Sequence, residues 1–179
     1  MTWTSETVRE FIAQRALAAR VLRFDHAHRP SFDPEALDGE PVEGPMPHGT
    51  HTAEDAARAI GTDLAHIAKS LLAHLSDGRF VLCILRGDQR LDRKKLCRAA
   101  GAKHRSLARA EDVLRVTGYP VGAVPPFPLK TDVPAYMDPR VLEVDVVHCG
   151  GGDVDALLAV PTEELARITG AKTVDLALA

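Results

Sequence analysis

The chain has 179 residues, of which 45% are hydrophobic and 26% are charged, so it is long enough for one packed domain and too short to favour two. Its formal net charge of −3 excludes a surface that is basic throughout but leaves room for a local basic patch. The amphipathic N-terminus does not resemble a signal peptide, and no apolar run reaches the ~18 residues of a membrane span, so we expect a cytoplasmic protein without membrane contact.

The first predicted element is an amphipathic helix with Ser5 as its N-cap, because Val8, Phe11 and Ile12 recur at helical spacing. Alternating apolar and charged residues then favour a short strand over 20–25. Residues 26–51 hold five of the twelve prolines and three glycines, which is typical of a surface loop. We therefore expect residues 1–51 to form a helix, a strand and a proline-rich excursion that pack on a main domain at 52–179.

A second helix is predicted over 52–60, since Thr52 with Asp55 is a capping pattern and Gly61 follows. Asp63 can cap one further short turn. The next segment, 69–75, has two interpretations. A helix would place Lys69 on its flank as an ordinary solvated lysine, whereas a strand would place Lys69 on a face with aliphatic side chains.

The Asp77-Gly78 pair favours the strand, because it is a strong hairpin signal directly before the apolar, β-rich run at 80–85. A hairpin requires a partner strand at about 69–75, and alternation then puts Lys69 on one face with Leu71, Ala73 and Leu75. A lysine at the open end of an apolar face is costly to desolvate unless an anionic group meets it. Lys69 is therefore a candidate functional residue.

The rest of the chain interleaves helices and strands irregularly. Helices are predicted near 91–100, 109–117 and 161–169, and strands near 103–108, 135–138, 143–149, 156–160 and 172–178. Two loops rich in proline or glycine, at 118–134 and 150–152, would let the backbone approach a ligand or offer amides to an acceptor. This order predicts an α+β domain with a mixed, barrel-like β-sheet and surrounding helices.

Basic residues are concentrated between 86 and 105, where eight of the chain's 22 lysines and arginines lie. One interpretation is a surface that contacts RNA phosphates, with Arg90, Arg93 and Lys94 as candidate contacts. The other interpretation is a solvated helix face, which commonly carries such a run of charge.

The sequence predicts neither a metal nor a cofactor. Three widely spaced cysteines, Cys83, Cys97 and Cys149, indicate reduced thiols and match no zinc-site spacing. A metal-dependent hydrolase would need His148 to converge with histidines of the proline-rich segment, which are His26, His28, His48 and His51. None of these four is paired at the i, i+4 spacing of a helical metal site, so scattered loop histidines are the favoured interpretation.

No nucleophile elbow, phosphate-binding loop or dinucleotide fingerprint is present, so composition and spacing alone lead no further than an α+β domain. The chain does contain, in order, "TAEDAARAIG", "IAKSLL", "LDRKKLCRAAGAKHRSLA", "EDVLRVTGYPVGAVPPF", "YMD", "HCGGGD" and "VPTEELARITGA". This series resembles the YbaK/ProX family of prolyl-tRNA editing domains, in family order, over residues 52–176.

The resemblance implies a hydrolase that removes a wrong amino acid, such as alanine or cysteine, from tRNA. Mischarged tRNA and prolyl-tRNA synthetase are the partners it implies, and the lack of a synthetase core in the sequence favours a free-standing, trans-acting member. On the family's pattern Lys69 is the pocket lysine, and Ser70 is the adjacent position that varies between subfamilies. His148 stands where some alanine-specific members have a histidine, and would be a base, a hydrogen-bonding residue or a structural residue.

The family's GxxxP loop and glycine turn imply further substrate-binding positions, which are Gly122, Ala123, Val124, Pro126, Gly150, Gly151 and Gly152. In this interpretation Lys69 positions the substrate, and loop amides donate to the carbonyl oxygen. Two departures from the family pattern, the 26–51 segment and the sequence "HCGGGD", leave the amino-acid specificity open. The alternative function is a noncatalytic RNA-binding module that uses residues 86–105.

Overall fold

The computed structural model describes residues 2–24 and 52–179, and the proline-rich segment predicted at 26–51 lies outside them. The described helices are α1 (Ser5–Arg15), α2 (Ala53–Ile60), α3 (Arg93–Ala100), α4 (Ala110–Thr117) and α5 (Thr162–Thr169). Two short 3-10 turns lie at Leu64–His66 and Pro139–Glu143. None of the helices in this part of the chain is long and apolar enough to cross a membrane.

The strands are β1 (Arg20–Arg23), β2 (Ala68–Leu75), β3 (Phe80–Arg86), β4 (His104–Leu107), β5 (Ala135–Met137), β6 (Val146–Gly150), β7 (Ala156–Pro161) and β8 (Lys172–Thr173). They form a three-stranded sheet, β1-β7-β6, and a five-stranded sheet, β4-β2-β3-β5-β8. Strand β5 is parallel to β3 and to β8, whereas β2 is antiparallel to β3 and β4. The predicted α+β fold with a mixed sheet is therefore confirmed, although the described strands form two sheets and no closed barrel.

Strands β2 and β3 form the predicted hairpin. Its turn contains Gly78, with φ of 88°, and is closed by the Leu75 amide, which donates to the Arg79 carbonyl at 2.8 Å. Lys69 lies opposite Leu85 in the register of the two strands. The strand interpretation of residues 69–75 is thus confirmed, and the helical alternative is wrong.

The hairpin is buried on both faces. Leu72 and Ile84 lie in one hydrophobic cluster with residues of α4 and β6, and Leu75 and Leu85 lie in another with Leu96 of α3. A third cluster joins α2 to β1, β6 and β7. Since burying one such side chain contributes roughly 1.5–3 kcal/mol, these contacts fix the position of β2 relative to the helices on either side.

The N-terminal region contributes a strand to the smaller sheet. Strand β1 pairs antiparallel with β7, with Arg20 opposite Ala159 and Arg23 opposite Ala156. Val8 of α1 is fully buried in the largest cluster. The division of the chain at residue 52 stays a prediction.

Three boundaries differ from those expected. Helix α1 is capped by Thr4 and not by Ser5, because the Thr4 hydroxyl accepts the amide of Glu6. Strand β6 begins at residue 146 because a 3-10 turn occupies the residues before it. Strand β8 is only two residues long, because the amides of Leu176 and Ala177 donate to the buried Asp138 carboxylate and not to a neighbouring strand.

Candidate active site

A pocket of about 310 Å³ opens between the two sheets. It is lined by the start of α2, the first half of β2, the end of β4, the loop at 121–124 and the end of β6. Beside the pocket, an isolated parallel bridge pairs Ile67, the residue before β2, with His148 of β6. Six of the predicted site residues line the pocket: Lys69, Ser70, Gly122, Val124, His148 and Gly150.

Lys69 brings a cation to this pocket. Its Nζ donates a hydrogen bond to the Gly87 carbonyl oxygen at 3.0 Å, and no carboxylate of the described residues forms an ion pair with it. Burial lowers the pKa of Lys69, whereas the carboxylates of Glu54 and Asp88 favour its charged form and Arg90 disfavours it. An ammonium has three donors, so Lys69 retains N–H groups for a ligand.

Gly87 was not predicted as part of the site, yet it fixes the position of Lys69. Its amide donates to the carbonyls of Leu64, at 3.1 Å, and Ile67, at 2.7 Å. A Cβ at this position would lie 2.7 Å from the Leu64 carbonyl oxygen, so only glycine fits without movement. The signal in the sequence was a glycine directly after an apolar strand, which indicates close approach of another backbone.

His148 lies in β6 opposite Ala159 and is fully buried at the pocket. Burial lowers its pKa to about 4, with smaller effects from a hydrogen bond to the His66 backbone and from the charges of His66 and Arg20. The imidazole is therefore neutral at neutral pH. A neutral imidazole offers one donor and one acceptor.

Ser70 adds a hydroxyl to the pocket lining. Its Oγ is buried and has no hydrogen-bond partner among the described residues. Buried hydroxyls are nearly always paired, because an unpaired one loses its bonds to water without replacement. The Ser70 hydroxyl is thus available to a polar group of a ligand.

The two predicted loops meet backbone to backbone at the pocket. Gly122 has φ of 89°, a conformation that other residues rarely adopt. A Cβ on Gly150 would lie 2.5 Å from the Val124 carbonyl oxygen, so the second loop packs closely on the first. Ala123 and Pro126 are buried behind this contact and do not line the pocket.

The rest of the glycine turn serves the fold. The Gly151 amide donates to the Ala156 carbonyl at 3.0 Å, and the Gly152 amide donates to the Ala123 carbonyl at 2.9 Å. Neither glycine lines the pocket. The expectation that this turn offers its amides to a ligand does not hold for these two, because both amides are hydrogen-bonded within the protein.

The basic segment at 86–105 is partly neutralised. Arg86 pairs with Asp88 and Glu143, and Lys95 pairs with Asp175. The three candidate RNA contacts, Arg90, Arg93 and Lys94, are exposed and do not line the pocket. Arg90 is nonetheless close enough to Lys69 for its charge to lower the lysine's pKa.

No group of histidine, cysteine or acidic side chains in the described residues could hold a metal ion. The four histidines of the metal-dependent alternative, His26, His28, His48 and His51, lie outside those residues. Cys83, Cys97 and Cys149 form no disulfide bond with one another, and burial raises the pKa of Cys83 and Cys149 to about 12. Those two thiols are therefore poor nucleophiles at neutral pH.

A family model described as "Aminoacyl-tRNA editing domain" matches residues 48–168. The chain is 33% identical over 121 residues to the YwhH protein of Bacillus subtilis (strain 168), across 68% of this chain and 76% of that protein. It is 26% identical to a protein of Enterococcus faecalis (strain V583) named "Putative Cys-tRNA(Pro)/Cys-tRNA(Cys) deacylase EbsC", across 66% and 77% of the two chains.

The fold also matches solved structures. One of them is described as "Crystal structure of a putative trans-editing enzyme for prolyl tRNA synthetase". It superposes with a TM-score of 0.79 at 29% identity, across 98% of this chain and 97% of the other. The likeness therefore extends over nearly the whole length of both chains.

Proposed function

This chain belongs to the aminoacyl-tRNA editing domain family and is a tRNA deacylase of that family, and we propose that it is a trans-editing hydrolase for a small amino acid, such as alanine or cysteine, on mischarged tRNA. The observation that carries the proposal is the cation of Lys69, which is held by the Gly87 carbonyl at 3.0 Å beside a small pocket.

The size of the pocket supports a small substrate side chain. Its volume of about 310 Å³ is near the lower end of the range of roughly 300–1,000 Å³ that is usual for ligand sites. Its walls include Leu72, Val113 and Val124, which are apolar, and the hydroxyl of Ser70. An aminoacyl group with a short side chain would bury its apolar part there, and its amino or carbonyl group would meet the Ser70 hydroxyl.

The chemistry proposed is attack of water on the aminoacyl ester. A bond forms between the water oxygen and the ester carbon, the carbonyl oxygen becomes an oxyanion, and the bond to the ribose oxygen then breaks with a proton passing to that oxygen. Lys69 would donate to the oxyanion, or to a phosphate of the same nucleotide, and so stabilise the charge that develops. An ester is already activated relative to an amide, and the neighbouring ribose hydroxyl can orient the water, so no Ser-His-Asp triad is needed.

His148 fits a positioning role better than that of a general base. A base works best when its pKa is near the working pH, and burial lowers the pKa of His148 to about 4. The neutral ring would instead hold the attacking water or the substrate by a hydrogen bond. Gly122 would let the aminoacyl group approach the backbone without meeting a side chain.

The partners proposed are mischarged tRNA and prolyl-tRNA synthetase, in the cytoplasm, where tRNA is charged. The structural relative described as a trans-editing enzyme for prolyl tRNA synthetase supports this proposal. The exposed positive charges of Arg90, Arg93 and Lys94 would attract the tRNA phosphates. Arg90 is close enough to Lys69 to act on its charge, so the bound tRNA would lie near the pocket.

The test is a deacylation screen of the purified chain against tRNAs that carry alanine, cysteine, serine and other small amino acids. Correctly charged prolyl-tRNA is the control. We expect hydrolysis of at least one mischarged tRNA well above the buffer rate, and none of prolyl-tRNA. The same screen with a chelator tests the metal-dependent alternative, and we expect no change. Binding of tRNA without hydrolysis of any ester would contradict the proposal and favour the noncatalytic RNA-binding module.

A further inference from the structure

Two exposed aliphatic side chains lie at the mouth of the pocket. Leu107 and Val121 line it, yet 49% of the surface of Leu107 and 57% of that of Val121 remain accessible. The other large hydrophobic side chains with comparable exposure in the described residues, such as Leu142 at 40%, do not line the pocket. Apolar surface beside a polar site commonly marks a place where a ligand is bound.

Both side chains project from a fixed backbone. Leu107 is the last residue of β4 and lies opposite Ala73 of β2, and the next amide, that of Ala108, donates to the Leu72 carbonyl at 2.8 Å. Val121 precedes Gly122, in a loop that the Ala123 amide closes by donating to the Pro120 carbonyl at 3.1 Å. Backbone hydrogen bonds thus hold the two residues that form this apolar rim.

We propose that Leu107 and Val121 bind the adenine base of the terminal nucleotide of the aminoacyl-tRNA, an inference that rests on the proposed function. The amino acid is esterified to the ribose of this nucleotide, and the base is joined to the same ribose. If the aminoacyl group occupies the pocket, the ribose lies at the mouth and the base lies against the rim. The flat, largely apolar face of adenine is suited to aliphatic side chains.

The positive charge near the rim is suited to a nucleotide, which carries a phosphate. Lys69 lies in the same pocket lining, and Arg90 is close enough for its charge to act on Lys69. The phosphate that links the terminal nucleotide to the rest of the tRNA would therefore meet positive charge as it leaves the rim. A folded protein partner is less suited, since two side chains provide far less than the ~800 Å² per partner of a stable protein interface.

The test uses an oligonucleotide ending in CCA, with alanine joined to its terminal ribose by an amide that water does not cleave. A second probe is identical but lacks the terminal adenine base. Contact with the two aliphatic side chains buries apolar surface of the base, so we expect the complete probe to bind several-fold more tightly than the abasic one. Leu107→Ala and Val121→Ala should each remove much of this difference and leave the abasic probe's affinity unchanged. Leu142→Ala is the matched control and should behave like the wild type.

Equal affinity of the wild type for the two probes would overturn the inference. So would a loss in Leu107→Ala that is the same for both probes, because that would indicate a general change in the pocket. A concentration-dependent dimer that Leu107→Ala abolishes would show that a second copy covers the rim instead.

The inference and the proposed function fail in different ways. If the chain hydrolyses mischarged tRNA but binds the complete and the abasic probe equally, the adenine-site inference is wrong and the proposed deacylase function stands. If binding depends on the base and Leu107→Ala reduces it, but no ester is hydrolysed, the adenine-site inference stands and the proposed function is wrong.

Discussion

The Nζ atom of Lys69 and the carbonyl oxygen of Gly87 form a 3.0 Å hydrogen bond at the end of the β2-β3 hairpin. A carbonyl is a neutral partner, so it orients the ammonium without cancelling its charge. The carboxylates of Glu54 and Asp88 favour the charged form of Lys69 from a distance, and none of the described carboxylates pairs with it directly. The charge is therefore oriented and remains available to a substrate.

The left-handed backbone at Gly122 provides a test with a matched control. Gly122 has φ of 89° at the pocket, and Gly78 has φ of 88° in the hairpin turn. A side chain at either position should cost about 1–2 kcal/mol of folding free energy. Gly122→Val should in addition lower kcat/KM by at least tenfold, because its side chain enters space that the substrate needs.

Gly78→Val carries a comparable backbone strain, and a Cβ there meets no atom within 4 Å. We expect Gly78→Val to lose stability but keep normal turnover. Urea unfolding and steady-state kinetics on both variants separate the two effects. Wild-type turnover by a folded Gly122→Val variant would show that the loop has only a structural role.

The exposed basic residues predict a salt effect on tRNA binding. The triple variant Arg90→Ala, Arg93→Ala, Lys94→Ala removes the positive charge that would bind up to three phosphates. Its affinity should fall, and the slope of log affinity against log salt should flatten by about 0.7–0.9 for each phosphate that the variant no longer binds. Single-turnover hydrolysis at saturating enzyme should stay near the wild-type rate, because these residues do not line the pocket.

A control triple variant at Arg9, Lys130 and Arg167, which are exposed elsewhere, changes the net charge by the same amount. We expect it to keep the wild-type salt slope. An unchanged slope in the Arg90, Arg93 and Lys94 variant would mean that this segment is a solvated helix face and that tRNA approaches by another surface.

His148 predicts how stability depends on pH. Its pKa is about 4 in the folded protein and 6.5 as the unperturbed value, so the unfolded chain binds more protons between these two pH values. Stability is then fully present above about pH 6.5 and is lost as the pH falls towards 4. At 1.36 kcal/mol for each pKa unit, the loss is ~3 kcal/mol.

Urea unfolding between pH 4 and 7 measures this dependence, and His148→Gln should flatten it. An NMR titration of the His148 ring tests the same point without a substitution. A ring that titrates near 6.5 in the folded protein would contradict the buried, neutral histidine and would reopen a role as general base.

Local signals in the sequence accounted for much of the fold. The Asp77-Gly78 pair predicted the hairpin, and Gly61 ends α2 with positive φ as expected. Gly101 and Gly118 end α3 and α4 in the same way. These signals work because turn and cap geometry depends on a few neighbouring residues. The alternation around Lys69 then followed from the hairpin itself.

Contacts between distant parts of the chain were not predictable in this way. The partner of Lys69 is a backbone carbonyl, and a carbonyl has no residue type that could mark it. Arg86 and Lys95 are neutralised by Glu143 and Asp175, which lie far along the chain, so the basic segment looked more strongly charged than it is. The internal bonding of the Gly151 and Gly152 amides likewise depends on how two loops pack.

If the Lys69 pocket carries out the deacylation, Lys69→Ala should lose activity in single-turnover hydrolysis of the best substrate found in the screen. We expect a loss of at least a hundredfold, with a melting temperature that is unchanged or raised, since the variant removes a partly buried cation. Lys130→Ala, at an exposed lysine outside the pocket, should hydrolyse the substrate at the wild-type rate. A Lys69→Ala variant that hydrolyses the ester as fast as the wild type would show that this pocket does not carry out the deacylation.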